Sequence, residues 1–246
     1  MSLDSTSPLL YEKTGDVAWV TLNRPDVLNA VNMAMRDELW TLLHAVRDDP
    51  DVRCIIFRGA GERAFSAGAD IGEFGSAPSY VEARAGRSER DTWGMMLSIM
   101  KPMVAAIHGF AFGAGCELSL CCDLRIASED ATFALPEVHL GYMPSAGGTQ
   151  TLSRTIAPGI AREMILSAAP IDAQRALRCG LVQRVVPHER LLAESTEMAR
   201  TLASLPPAAV AAAKEAMQRG ADVSLEAALR IETALALRVH AKARSE

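Results

Sequence analysis

Two glutamates stand out because of the sequence around them. Glu117 follows the turn "GAG" at residues 113–115, inside the most apolar part of the chain. Glu137 lies 20 residues further on (137 − 117), after Pro136 in "LPEVHLG". A charged side chain is rarely buried without a partner or a chemical role, so Glu117 is either a structural exception or a working carboxylate. Taken alone, Glu137 is more typical of an acidic residue in a surface loop.

Two segments of small residues could place backbone donors at the same site. The segment "FSAGAD" (65–70) lets the backbone approach a ligand closely, although an ordinary tight turn has the same composition. The segment "GFAFGAGCEL" (109–118) predicts a glycine turn that opens a helix, with unpaired N–H groups at the positive end of the helix dipole. Such donors suit a developing oxyanion, but close packing of a helix on a strand would also select these glycines.

The first 158 residues alternate between strand and helix patterns. Apolar positions from Met35 to Val46 recur at helical spacing, with Asn32 as a possible N-cap. A glycine-opened helix is expected over 146–156, a polar and then helical segment over 78–100, and a loop at "AFSAGADI". Apolar, β-branched runs predict strands over 17–25, 52–59, 102–109 and 124–128. This alternation predicts ββα or βα units around a buried sheet.

The pattern becomes almost entirely helical after about residue 158. One short strand is expected over 181–187, and Pro206–Pro207 marks a junction between helices. Helices are expected at "AREMILSA", at "DAQRALRCG" and near 189–204, 207–219 and 224–243.

Composition excludes several classes of function. The 246 residues carry 25 basic and 30 acidic side chains. This balance gives no excess of positive charge, so nucleic acid is not expected to be the main partner. The five histidines lack metal-ligand spacing, so no metal is predicted, and the five cysteines are expected to be buried, reduced thiols. No targeting segment is evident, and the apolar run at 102–116 is too short to span a membrane. We therefore expect a cytoplasmic protein with no membrane partner.

Together these segments resemble the enoyl-CoA hydratase/isomerase, or crotonase, superfamily. The similarity is collinear from about residue 10 to 240. It is carried by "LNRPDVLNAVN", "AFSAGADI", "KPMVAAIHGFAFGAGCELSLCCDLRIASEDATFALPEVHLGYMPSAGGTQTLSR", "IDAQRAL" and "GLVQRVVP".

The resemblance implies an α/β fold of the ClpP/crotonase-like class. This is a spiral of ββα units with a C-terminal helical trimerisation region. We expect the spiral core with the acyl-CoA site at 1–190, the helical oligomerisation region at 191–246, and a homotrimer or a dimer of trimers. The apolar C-terminal helices agree with such an assembly, although a self-contained core has similar stripes. The family also adds a final helix that helps to cover acyl-CoA, a pattern that "AKARSE" does not match, so we expect altered contacts there.

The resemblance also assigns roles at the site. The family binds acyl-CoA thioesters and holds the thioester oxygen with two backbone N–H groups, here those of Ala69 and Ala114. Ala114 replaces the middle glycine of the usual Gly-Gly-Gly, which keeps the N–H but adds a methyl group that favours smaller or straighter acyl chains. Glu117 corresponds to the group that activates water and Glu137 to the proton donor to Cα. Substrate-binding positions are implied at Leu28, Ala67, Gly68, Asp70, Ile71 and Gly113.

Recognition of the CoA phosphates is expected to differ from the family pattern. Two positions that are often basic are Asp26 and Gly72 here. Arg24, Arg63 or Lys101 could compensate for the missing positive charge, although a solvated surface position is the more common interpretation for any one of them.

A pair of glutamates favours the hydration of trans-2-enoyl-CoA to 3-hydroxyacyl-CoA by syn addition of water. The acyl-CoA is a substrate, and no cofactor is expected. Another reaction of the superfamily on acyl-CoA, such as isomerisation, decarboxylation or thioester hydrolysis, is the nearest alternative. An RNA-binding member is the alternative from a different class, and the net charge of −5 argues against it.

Overall fold

The structure is a computed structural model that describes residues 6–73 and 90–243. The first part of the segment predicted over 78–100 lies outside these ranges. The described strands are β1 (Leu9–Thr14), β2 (Val17–Leu22), β3 (Cys54–Gly59), β4 (Ala64–Ser66), β5 (Met103–Ile107), β6 (Phe110–Phe112), β7 (Leu124–Ser128), β8 (Thr132–Ala134), β9 (Ile171–Asp172) and β10 (Arg184–Val186).

The described α-helices alternate with these strands and then dominate the C-terminal part. They are α1 (Met33–Asp48), α2 (Thr92–Ser98), α3 (Ala114–Cys121), α4 (Gly148–Thr155), α5 (Pro158–Ser167), α6 (Ala173–Arg178), α7 (Leu191–Ser204), α8 (Pro207–Gly220) and α9 (Leu225–Ala243). Short 3-10 helices lie at Pro25–Val27, Ile71–Glu73, Pro136–Leu140 and His188–Arg190.

A six-stranded sheet forms the centre of the molecule in the order β1-β2-β3-β5-β7-β10, with every pair parallel except β1–β2. All five residues of β5 are buried, and so are the first four of β3. Continuous apolar strands are typical of a parallel sheet that is covered on both faces. Helix α1 contributes Leu39 and Leu43 to the core on one face, and α7 contributes Ala199 and Ala203 to the other.

A second, four-stranded sheet has the order β4-β6-β8-β9. Its strands β4, β6 and β8 are parallel neighbours, with Phe112 opposite Ala134. Each comes shortly after a strand of the large sheet: β4 after β3, β6 after β5 and β8 after β7. The predicted spiral of ββα units is therefore confirmed. The boundary expected at residue 190 stays a prediction.

Most of the predicted elements are confirmed, including the N-cap of α1, where the Asn32 side chain accepts a hydrogen bond of 2.9 Å from the Met35 N–H. The loop expected at "AFSAGADI" is wrong in its first part, because Ala64–Ser66 is buried and pairs with β6. Strands β1, β6, β8 and β9 are not among the predicted elements. Four of the five cysteines are buried, Cys179 is half-buried, and all are free thiols. Within the described ranges, no helix combines the length and apolar character needed to cross a bilayer.

Candidate active site

Glu117 is buried and held by backbone donors. It lies in the first turn of α3 and is 2% exposed. Its Oε1 accepts hydrogen bonds of 2.8 Å from the N–H groups of Ala146 and Gly148. Gly148 is the first residue of α4, so the carboxylate also lies at the positive end of that helix. These contacts stabilise the negative charge of the Glu117 carboxylate.

The close approach at Gly148 requires a residue without a side chain. A Cβ atom at this position would lie 2.8 Å from Glu117 Oε1 and 2.9 Å from its Cγ. Neither Ala146 nor Gly148 is among the site residues predicted from the sequence. The signal that could have found them is the "AGG" turn, which opens a helix and thereby leaves N–H groups unpaired.

Glu137 lies in a contrasting environment. It belongs to the 3-10 helix Pro136–Leu140 and is half-buried. Its Oε2 is buried and has no hydrogen-bond partner within the described residues. Burial raises the pKa of Glu137 to about 7, and the negative charge of Glu117 adds to the increase. This carboxyl group is therefore largely protonated between about pH 4.5 and 7, where a free glutamate is largely ionised.

The turn before α3 brings the two glutamates together. The Gly113 N–H donates to the Ala134 carbonyl at the end of β8, three residues before Glu137. Gly113 has φ of +49°, and a Cβ atom there would lie 2.9 Å from Glu137 Oε1. The helix that carries Glu117 therefore begins directly against the Glu137 carboxyl group.

The N–H groups of Ala69 and Ala114 are both unpaired with respect to the described part of the chain. Val31 bridges to Ala69 by donating to the Gly68 carbonyl and accepting from the Asp70 N–H. In this parallel arrangement the N–H of Ala69 itself faces away from Val31. Ala114 is the first residue of α3, where an N–H has no partner within the helix. A Cβ on Gly68 would lie 3.6 Å from the Ala114 nitrogen, so the two segments are adjacent.

The basic side chains proposed to compensate for Asp26 and Gly72 have different surroundings. Arg24 Nη1 donates to Asp70 Oδ2 at 2.8 Å and to the Ala30 carbonyl at 2.7 Å. Lys101 Nζ donates to the Val46 and Asp49 carbonyls. These two cations are already engaged in the fold, whereas Arg63 is exposed.

The family model described as enoyl-CoA hydratase/isomerase matches residues 12–246. The chain belongs to the enoyl-CoA hydratase/isomerase family. It is 40% identical over 225 residues to the short-chain-enoyl-CoA hydratase of Clostridium acetobutylicum, covering 92% of this chain and 86% of that protein. It is 38% identical over 229 residues to the 2,3-dehydroadipyl-CoA hydratase of Escherichia coli, covering 93% and 89%.

Solved structures agree with the family assignment. The crystal structure of an enoyl-CoA hydratase from Bacillus anthracis is similar, with a TM-score of 0.88 and 39% identity over 93% of this chain and 89% of that one. The crotonase fold class predicted from the sequence is thus confirmed for this member of the enoyl-CoA hydratase/isomerase family.

The site of this family member contains most of the predicted positions. Glu117, Glu137, Gly68 and Gly113 are in close proximity, and the Ala69 and Ala114 backbones adjoin them. The Leu28 carbonyl accepts from the Ala67 N–H, whereas the Ile71 side chain is 67% exposed at the start of its 3-10 helix. Among residues 6–73 and 90–243, no three His, Cys, Asp or Glu side chains are grouped closely enough to hold a metal ion.

Proposed function

We propose that the protein is an enoyl-CoA hydratase that adds water across the 2,3 double bond of trans-2-enoyl-CoA. The observation that carries this proposal is the pair of adjacent carboxyl groups in opposite environments. Glu117 is stabilised as a carboxylate by two N–H donors, whereas the pKa of Glu137 is raised to about 7, so that this group keeps its proton at lower pH. A base and an acid on one site are what the addition of water requires.

The reaction begins at Glu117, whose carboxylate accepts a proton from the attacking water. The water oxygen forms a bond to Cβ, and the π electrons of the double bond move toward the thioester carbonyl. The Ala69 and Ala114 N–H groups would stabilise the negative charge that develops on this oxygen. Removing one such donor typically lowers the rate by about 10²–10³-fold.

The reaction ends at Glu137, which donates its proton to Cα as the carbonyl double bond re-forms. Glu117 then carries one proton and Glu137 has lost one, so a proton must return to Glu137 before the next turnover. Both carboxyl groups lie on one side of the bound chain in this scheme, which gives syn addition. The product is 3-hydroxyacyl-CoA.

A panel of trans-2-enoyl-CoAs of increasing length tests the proposal. We expect loss of the conjugated thioester absorbance, greatest for short chains such as crotonyl-CoA, with 3-hydroxyacyl-CoA as the product. The names of the relatives, which include a short-chain-enoyl-CoA hydratase and a crotonyl-CoA hydratase, support starting with four carbons. A shifted double bond, loss of carbon dioxide or free CoA as the main product would instead support another reaction of the superfamily.

We also propose that the protein acts as a homotrimer or a dimer of trimers. The C-terminal helices α8 and α9 expose large apolar side chains, which monomeric proteins rarely group together. These are Met217, Leu225, Leu229 and Leu237, exposed by 50% or more. Light scattering at micromolar concentration tests this proposal, and a single species of 26.3 kDa would contradict it.

We propose, finally, a cytoplasmic enzyme that needs no metal or organic cofactor and binds no nucleic acid. Two features support this: the reaction scheme uses only carboxyl and backbone groups, and the buried thiols suit a reducing compartment. Dialysis against a chelator should leave the hydration rate unchanged. Activity that is lost and then restored by a divalent ion would contradict the metal-free part, and a salt-dependent gel shift with RNA would contradict the last part.

A further inference from the structure

The Arg24–Asp70 ion pair lies next to one of the two candidate oxyanion donors. Arg24 Nη1 is 2.8 Å from Asp70 Oδ2, and the two side chains are 22% and 24% exposed. Asp70 directly follows Ala69, whose N–H is the donor. The same guanidinium nitrogen also donates to the Ala30 carbonyl at 2.7 Å. Arg24 therefore connects residue 70 to the segment that runs beside it.

That neighbouring segment fixes the backbone on both sides of Ala69. The Ala67 N–H donates to Leu28, the Gly68 carbonyl accepts from Val31, and the Asp70 N–H donates back to Val31. The direction of the Ala69 N–H therefore depends on where residues 28–31 lie. Two side-chain links also join the segments: the Ser66 hydroxyl donates to the Asn29 carbonyl at 2.8 Å, and Arg24 bonds to both Asp70 and the Ala30 carbonyl.

Residues 28 and 29 adopt a conformation that needs support. Leu28 and Asn29 both have φ of +55°, a left-handed conformation that is unfavourable for residues other than glycine. The buried Asn29 side chain donates to the Ala60 and Ala64 carbonyls, and its Oδ1 accepts from the Arg24 N–H. Arg24 thus contacts this strained turn through its backbone at Asn29 and through its side chain at Ala30.

We propose that Arg24 and Asp70 are positioning residues that hold the Ala69 N–H in the direction of the thioester oxygen. This inference rests on the proposed function. Neither side chain touches the reacting atoms; both act through the backbone of the 67–70 segment. A displacement of about 1 Å in a catalytic group can lower a rate by about 10²-fold, so a polar link of this kind is sufficient to matter.

The alternative role for Arg24 is direct binding of a CoA phosphate, which the sequence also allowed. The two roles predict different kinetics. A phosphate ligand contributes equally to the binding of substrate and transition state, so its loss raises KM and leaves kcat unchanged. A positioning residue contributes when charge develops on the thioester oxygen, so its loss lowers kcat.

The experiment compares R24Q, D70N and R24K with the wild-type enzyme on crotonyl-CoA. We expect R24Q and D70N to lower kcat by about 10–100-fold with KM changed less than about 3-fold. R24K should recover part of the loss, because an ammonium group supplies a donor for both acceptors but lacks the planar fork of arginine. The matched control is K13Q, which removes an ion pair of similar exposure, Lys13–Asp49 at 3.0 Å, between β1 and the end of α1. K13Q should keep the wild-type kcat.

A spectroscopic measurement separates positioning from a general loss of stability. Donors at the thioester oxygen polarise the carbonyl of a conjugated 2,4-dienoyl-CoA and shift its absorbance to longer wavelength on binding. We expect a smaller shift at saturating ligand in R24Q and D70N than in the wild type and K13Q, for variants whose melting temperatures match. If R24Q or D70N does not fold, the remaining one of these two variants and R24K still test the proposal.

Three outcomes would overturn the inference. Wild-type kcat and absorbance shift in R24Q and D70N would show that the ion pair positions nothing. A raised KM with unchanged kcat would assign Arg24 to phosphate binding instead. An equal loss in K13Q would assign the effect to stability. Failure of the proposed function is distinguishable, because the wild-type enzyme would then not hydrate crotonyl-CoA at all.

Discussion

The surroundings of Glu117 and Glu137 differ although the two carboxyl groups share one site. Glu117 is almost fully buried, yet two N–H groups bond to one of its oxygens at 2.8 Å. Glu137 is less buried, yet its Oε2 has no partner among the described residues, and its pKa rises to about 7. Burial favours the protonated form of Glu137, whereas two N–H donors offset the burial of Glu117 and stabilise its carboxylate. The two proposed roles follow from that difference.

The largest effect is expected when either carboxyl group is removed. E117Q removes the group proposed to accept a proton from water, and E137Q removes the group proposed to donate one to Cα. Each variant should lower kcat for hydration by about 10²-fold or more. Because the two groups act as a unit, the double variant should be little slower than the slower single variant.

An exchange assay sharpens the comparison between these variants. Exchange of the Cα hydrogen with solvent needs a proton shuttle at Cα but no attacking water, so E117Q should retain more exchange than E137Q. The control is E12Q on the edge strand β1, which should behave as the wild type. Hydration by E117Q at the wild-type rate would remove the basis for the hydratase assignment.

Alanine at either contacting glycine should produce the next largest effect. In G148A the new Cβ would lie 2.8 Å from Glu117 Oε1, and in G113A it would lie 2.9 Å from Glu137 Oε1. Displacing either carboxyl group should lower kcat by about 10–100-fold. G113A should also lower the melting temperature, because φ of +49° disfavours alanine.

Two other glycines provide matched controls for these variants. Gly15, in the turn between β1 and β2, has φ of +62°, and a methyl group added there would have no described atom within 4 Å, so G15A introduces backbone strain without a contact. Gly159 has the same open space among the described residues and no positive φ, so G159A introduces neither. Loss of kcat in G15A equal to that in G113A would show that strain, and not contact with Glu137, is responsible.

A pH profile measures the difference between the carboxyl groups directly. Hydration requires protonated Glu137, so kcat/KM should fall as the pH rises through about 7. Exchange of the Cα hydrogen instead begins with ionised Glu137, so its rate should rise with pH. The negative charge of Glu117 contributes to the raised pKa of Glu137, so this rise should occur at lower pH in E117Q. A profile that is flat between pH 6 and 9 would contradict the role of Glu137; this range brackets the raised pKa by about one to two units.

The same pKa predicts an effect on stability. The folded protein binds the Glu137 proton more tightly than the unfolded chain does, since its pKa is raised from 4.5 to about 7. This contribution is fully present below pH 4.5 and is lost as the pH rises through about 7. The stability of E137Q relative to wild type should therefore increase over that range, as measured by urea unfolding at several pH values.

The smallest effect is expected at Ala114. A114G keeps the N–H donor and removes a methyl group, so kcat on crotonyl-CoA should change by less than about 3-fold. The preference for longer chains should increase, because one methyl group in an apolar pocket changes discrimination by about 10-fold or more. Rates on four-carbon and ten-carbon enoyl-CoAs measure this, and an unchanged ratio would show that the methyl group does not limit the acyl chain.

The sequence predicted those parts of the molecule that repeat a strong local pattern. The apolar run of β5 and the spacing of Met35, Leu39 and Leu43 on α1 each identify one element without knowledge of the rest. The collinear motifs predicted the fold class, and they placed Glu117 and Glu137 in one site.

Other parts depend on contacts between distant residues. Strands β6 and β8 contain three residues each, too few to show a period, and exist because they pair side by side. The donors to Glu117 come from residues 29 and 31 positions away in sequence. Likewise, the sequence shows Arg24 only as a basic residue that could bind phosphate. Its ion pair with Asp70 joins residues 46 positions apart and has no signature in the local sequence.

The stacking of β4, β6 and β8 has a consequence for how such a site changes. The segment after each of these strands carries one group of the proposed site: Ala69 after β4, Ala114 after β6 and Glu137 after β8. Neighbouring strands lie about 4.8 Å apart, so the pairing of the strand backbones sets the spacing of these three groups. A substitution after one strand leaves the groups after the other two strands in place. The scaffold therefore holds the proposed thioester donors independently of the proposed acid, so a change of reaction requires a substitution in only one of the three segments.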